Sequence, residues 1–230
     1  MKTETQESPS APNIARRSFL RYAGVGAASV GLLAASACHK DHKATIHAGV
    51  DVGSGDIGLL NYAYALEQLE AAFYTQVVKT PYSGISSQEM SYMTSIRDHE
   101  IVHREFFKAA LGANAIIGLT PDFSSVNFGD RTSVLAQAKA FEDTGVMAYD
   151  GAGYLFQSAA YLTLAGKIVS VEARHAALIR DLIAPVSFAG SDVVDSNGLN
   201  GTLTIAQTLT IANKYLKTKV SASHYNYIAS

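Results

Sequence analysis

From residue 56 onward, apolar side chains recur at steps of three and four. Leu59, Leu60, Ala63, Leu66, Leu69, Phe73 and Val77 form one stripe, the mark of a helix with one face in a core. Asp56 is the expected N-cap and Pro81 the stop. A second stripe, Met93, Ile96, Ile101, Phe106, Phe107 and Leu111, follows the capping-box sequence Ser86-Ser87-Gln88-Glu89 and ends at Gly112. The short loop between the stripes predicts antiparallel neighbours. Residues 112–130 are punctuated by Gly, Pro and Asn and have no period. Extended, such a stretch covers roughly 55–60 Å at about 3.3 Å per residue, enough to run back along 20-residue helices about 30 Å long. A third helix is expected over about 131–151 and a fourth over about 154–184, stopped by Pro185. Residues 186–200 read as loop, and Thr204-Ile205-Ala206-Gln207 can cap a short fifth helix ending near Leu216. The expected fold is all-α: an up-down four-helix bundle over 56–184, with a long crossover between its second and third helices. Residues 185–230 form a C-terminal extension that offers two roles, covering one end of the bundle or building a homodimer.

The chain before the first stripe reads differently. Arg16-Arg17-Ser18-Phe19-Leu20-Arg21 precedes 17 uncharged residues, 22–38, made largely of Ala, Gly, Val, Leu and Ser. That is the layout of a twin-arginine signal peptide over residues 1–37, and the run is too short and too rich in Gly and Ala for a membrane span. Ala35-Ser36-Ala37 suits ordinary signal peptidase, whereas Ala35-Ser36-Ala37-Cys38 resembles a lipobox without its usual leading Leu. The place of the one cysteine, at the end of the apolar run, favours a lipid anchor at Cys38. Either route puts the protein outside the cytoplasm, in the periplasm or anchored to a membrane as a lipoprotein. Residues 38–55 carry His39, His42 and His47 and then Gly at positions 49, 53 and 55, and read as a flexible linker with solvated histidines.

Composition narrows the function classes. The 230 residues are 48% hydrophobic and 17% charged, which excludes a disordered or collagen-like chain. With 18 basic against 20 acidic residues and no basic stripe, nucleic acid is not an expected partner. A single cysteine permits no internal disulfide.

Chemistry concentrates in the glutamates. Glu100-Ile101-Val102-His103 and Glu172-Ala173-Arg174-His175 are two copies of Glu-x-x-His, in the second and fourth helices. Positions i and i+3 share a helix face, so each copy aims a carboxylate and an imidazole at one point. Glu67 in the first helix and Glu142 in the third supply two more carboxylates, each followed seven residues later by a tyrosine, Tyr74 and Tyr149. That half-repeat selects Glu67 over Glu70, which lies on the same face; Glu70 is then an additional ligand, a supporting group or a rim carboxylate. Tyr74 and Tyr149 are hydrogen-bond donors to the site, radical carriers or core aromatics. His99, next to Glu100, points elsewhere, and Asp98 and Asp181 are candidate acceptors for the outer nitrogens of the ligand histidines. Carboxylates neutralise and bridge hard cations while imidazole adds a neutral nitrogen. Burying several glutamates in an apolar bundle without cations would be costly. Glu67, Glu100, His103, Glu142, Glu172 and His175 are therefore the expected ligands of two Fe or two Mn ions.

At these residues the chain resembles the exported ferritin-like domain proteins of bacteria, including those described as desiccation-related. Leu66-Glu67-Gln68-Leu69-Glu70-Ala71-Ala72-Phe73-Tyr74, Phe141-Glu142-Asp143-Thr144-Gly145 and Val171-Glu172-Ala173-Arg174-His175-Ala176-Ala177 carry the likeness. The resemblance implies a ferritin-like bundle with a dinuclear site and no particular substrate. The expected function is reaction of the ion pair with O2 or peroxide, as a ferroxidase, peroxidase or catalase-like oxidoreductase, in oxidative-stress or desiccation defence. The alternative is a non-catalytic metal-binding or envelope-protective bundle.

Overall fold

A computed structural model describes residues 49–229; the twin-arginine stretch, Cys38, His39, His42 and His47 lie outside the described residues. Four long helices dominate: α1 (Gly55–Lys79), α2 (Ser87–Leu111), α3 (Arg131–Ala152) and α4 (Ala159–Ile183), followed by a short α5 (Ile205–Ala212). Two-residue strands β1 (Val50–Asp51) and β2 (Val220–Ser221) pair in parallel. The chain is an all-α four-helix bundle. Among the described residues no helix is long and apolar enough to cross a membrane.

Contacts at the helix ends fix the directions. Arg131 at the start of α3 donates to Glu89 in the first turn of α2 (2.6 Å) and to the Leu182 carbonyl at the end of α4 (2.9 Å). Thus α3 starts where α2 starts and where α4 ends. Asp56 in the first turn of α1 accepts from the backbone N–H groups of Gln157 (2.8 Å) and Ser158 (2.9 Å) before α4. Therefore α1 and α4 run one way, and α2 and α3 the other. The crossover over residues 115–130 makes this order reachable by running the length of α1. Asn61 accepts from the Ile116 N–H (2.9 Å) and Gln68 from the Leu119 N–H (2.8 Å). Farther along, Phe123 and Phe128 pack on Phe73, each with centroids 5.8 Å away.

Three local expectations are corrected. Residues 49–55 do not form a tether: Val50 donates to the Lys219 carbonyl (2.8 Å), Val52 to that of Ser221 (2.9 Å), and Val52 is buried. The strand partner lies about 170 residues away, beyond the reach of local pattern. Gly49 is needed for this pairing, because a Cβ there would lie 2.5 Å from the Lys219 oxygen. The N-cap of α1 is Ser54 rather than Asp56, whose carboxylate is spent on α4. Helix α4 begins five residues later than its apolar pattern suggests, after a 3₁₀ turn over Gly153–Leu155, with Ser158 as its cap.

Candidate metal centre

The four helices place one fully buried glutamate each at the bundle centre: Glu67, Glu100, Glu142 and Glu172 are all 0% exposed. His103 and His175 join them. Their ligand-type atoms fall into two overlapping groups, each within 4.8 Å: Glu67, Glu100, His103 and Glu172, and Glu100, Glu142, Glu172 and His175. Glu100 and Glu172 belong to both. All six residues singled out by the two Glu-x-x-His copies and the half-repeat thus converge on one place.

Antiparallel register sets the pairings. Tyr149 in α3 donates to Glu67 Oε1 of α1, and Tyr74 in α1 donates to Glu142 Oε1 of α3, each at 2.5 Å. Seven residues down one helix correspond to seven up the other, so each tyrosine serves the opposite helix's glutamate. The same symmetry relates α2 and α4: His103 Nδ1 lies 2.7 Å from Glu172 Oε1, and His175 Nδ1 lies 2.8 Å from Glu100 Oε1.

These short approaches are poorly directed. Glu67 Oε2, Glu142 Oε2, both oxygens of Glu100 and Glu172, and Nδ1 of His103 and His175 are buried with no hydrogen-bond partner. Buried polar atoms are ordinarily paired, and each left unpaired costs about 1–3 kcal/mol, more when charged. Here they face one another in two clusters of donor atoms suited to hard or borderline divalent cations, and the residues fit such ions. The tyrosines occupy the Oε1 atoms of Glu67 and Glu142 and leave Oε2 of each turned inward.

Without cations, protons must balance the charge. Burial alone would lower both imidazoles. Contacts with Glu100, Glu172 and Glu67 at His103, and with Glu100, Glu142 and Glu172 at His175, outweigh it and push both up to about 12. Burial would also raise Glu100, but the two imidazoles hold it down at about 2. Glu142 is pushed up by burial to about 8 against the pull of His175, and Glu67 is held well above the usual carboxylate range by burial and by Glu172.

Glu70 lies outside both groups. It is buried, its carboxyl pushed well up by burial and by the charges of Glu100, Glu172, Glu142 and Glu67. It fits against α3 because position 145 is glycine; a Cβ there would come within 3.1 Å of Glu70 Oε1. Asp98 and Asp181 do not serve the histidines: Asp98 pairs with Arg97 (2.7 Å) and Asp181 accepts from the Val186 N–H (2.7 Å). Both aspartates are exposed, on the outer side of their helices and off the face that carries the ligands. The residue that sequence reasoning passed over is His99, whose Nδ1 lies 2.9 Å from Nε2 of His175. Its one-residue offset from Glu100 was the signal for an outward ring, and the ring does sit at the rim, exposed on one side.

Two narrow cavities lie beside Tyr149 and Glu70, and none of the six central residues lines them. One, of about 10 Å³, is lined by Leu59, Leu66, Tyr149 and Phe156; the other, also about 10 Å³, by Leu69, Glu70, Gly145 and Ile211. Each has room for about one water molecule. Residues 55–185 match the family model described as a ferritin-like domain. No curated protein matches the chain.

Proposed function

The chain belongs to the ferritin-like domain family, and on that premise we propose that it is a metalloprotein whose six central ligands hold two Fe or two Mn ions that react with O2 or peroxide. The observation that carries this reading is the set of buried carboxylate oxygens and imidazole nitrogens with no hydrogen-bond partner, gathered in two groups that share Glu100 and Glu172. Charge supports it: four carboxylates and two neutral imidazoles are balanced by two divalent cations, with Glu70, whose carboxyl burial pushes well up, outside both groups.

The ions would supply redox equivalents and open coordination positions for an oxygen species. The protein's part is positional. His103 and His175 present Nδ1, Glu67 and Glu142 present Oε2, and Tyr74 and Tyr149 hold those two carboxylates in orientation through their other oxygens. Glu100 and Glu172 each have an oxygen for either position. The water-sized cavities beside Tyr149 and Glu70 suit a substrate as small as O2 or H2O2. Export by the twin-arginine route, to the periplasm or to a lipid anchor at Cys38, and a role against oxidative stress or drying belong to the same proposal.

Elemental mass spectrometry of protein purified without added metal tests the site. Near two Fe or Mn per chain, lost in a Glu100→Ala, Glu172→Ala double variant, is the expected result. No metal in the wild type after reconstitution with both ions overturns it. Ferroxidase and peroxide-consumption assays on the loaded protein then separate an oxidoreductase from a bundle that only binds metal.

A further inference from the structure

The internal symmetry that pairs His103 with Glu172 and His175 with Glu100 fails one residue away. In α2, the residue before Glu100 is His99; in α4, the residue before Glu172 is Val171. The consequence is visible at the outer edge of each ligand ring. His175 Nε2 meets His99 Nδ1 at 2.9 Å. The two rings are parallel within 8° and their centroids are 5.2 Å apart. That separation is the longest two imidazoles can have with their nitrogens 2.9 Å apart. The nitrogens therefore lie on the line between ring centres, the rings are coplanar, and the contact is an in-plane N–H···N hydrogen bond rather than a face-to-face stack. His103 has no such support: among the described residues its Nε2 has no protein partner, and Val171 offers no acceptor.

We infer that His99 is a positioning residue for the ion position built on His175, so that the two ion positions bind with unequal affinity. The inference rests on the two-ion reading above. With His175 Nδ1 turned to the carboxylates and its lone pair given to a cation, the ring's one remaining proton sits on Nε2. His99 Nδ1 accepts that proton's hydrogen bond, which places the His99 proton on its solvent-facing Nε2. One contact thus fixes the tautomer and the ring plane of His175 and raises its donor strength. Among the described residues the ring of His103 has no protein acceptor at its outer nitrogen and is held by packing and its carboxylate neighbours. Outer partners of ligand histidines are typically worth 10–100-fold in metal affinity. The position at His175 therefore fills first.

The test is an anaerobic titration of the full chain with Mn(II), and separately with Fe(II), in the wild type, His99→Ala and His99→Asn. The Asn side-chain oxygen restores an acceptor near the place of His99 Nδ1. The wild type should bind two ions in resolved steps. His99→Ala should weaken the tighter step by about 10–100-fold and merge it with the other, and His99→Asn should recover most of the loss. A second readout is independent of turnover: in the Co(II)-loaded wild type, one hyperfine-shifted imidazole N–H proton should exchange slowly with solvent. It should exchange fast in His99→Ala. Far-UV circular dichroism of the ion-free variants excludes misfolding as the cause. Two ions bound by His99→Ala with wild-type affinities and exchange overturn the inference and leave the two-ion site standing. No ion bound by the wild type overturns both.

Discussion

Loading the centre with metal should expel protons, and the number follows from the structure. At pH 7 the ion-free protein carries a proton on His103 and on His175, both pushed up to about 12, and most of one on Glu142, at about 8. Burial and the charge of Glu172 also hold Glu67 well above the usual carboxylate range. Ligation needs bare carboxylates and imidazole nitrogens, so binding two ions releases about three protons per chain from His103, His175 and Glu142. The product of the two binding constants then rises about 10³-fold per pH unit near neutrality, or about 30-fold per ion. Isothermal titration calorimetry with Mn(II), repeated in buffers of different ionisation enthalpy, reads the proton count directly. Release of fewer than two protons, or an affinity flat between pH 6 and 8, would refute the reasoning, since the imidazoles would then be bare beforehand or outside the coordination. The same shifts govern the ion-free fold. Groups with raised pKa stabilise it fully below their ordinary values and lose that contribution as pH rises toward the folded values. For Glu142 and the two histidines that window covers neutrality, while the opposite contribution of Glu100 is lost only as pH falls from its ordinary 4.5 toward about 2. Ion-free protein should therefore grow less stable from pH 5 to 8 in urea melts, and loaded protein should not.

Other substitutions probe the supports. Tyr74→Phe and Tyr149→Phe each strip a carboxylate of its hydrogen bond, worth about 1.5–3 kcal/mol when the acceptor is charged; both variants should retain two ions and lose similar unfolding free energy in denaturant melts of the loaded protein. Arg180 is 3% exposed and forks between Asp143 and Asp192. Arg180→Ala leaves the mostly buried Asp143 without its main partner and should lower stability by about 2–4 kcal/mol, discounted for the exposed Asp192 half, as a fall in the urea midpoint. Gly151→Ala would put a Cβ 1.9 Å from the Leu203 carbonyl, forcing the 201–204 segment off α3; a loss of about 1–3 kcal/mol and faster amide exchange at Leu203 are expected.

Much of the centre was legible because its information is local. Two Glu-x-x-His copies and a seven-residue echo specify which side chains share a face, and helix geometry does the rest. The choice of Glu67 over Glu70 came from aligning Tyr74 with Tyr149, and only Glu67 lies within the two groups. Helix periodicity could not supply contacts between elements: that Tyr74 serves Glu142 depends on antiparallel register, and that Val50 pairs with Val220 depends on where the far end of the chain arrives. His99 was misjudged for a related reason. A ring turned away from its own helix's ligand can still reach a ligand on the neighbouring helix.

Helices α1 and α2 pack closely on one another, as do α3 and α4, while the two hairpins approach each other less. Between them, beside apolar contacts such as Phe73 against Phe141, lies the layer of carboxylates, imidazoles and tyrosine hydroxyls. Leucines would hold such halves together at any pH and in any buffer; the polar part of this seam contributes only when its charges are balanced, by protons or, on the two-ion reading, by cations. On that reading a chelator would loosen the bundle along one plane and leave each hairpin's own apolar packing in place.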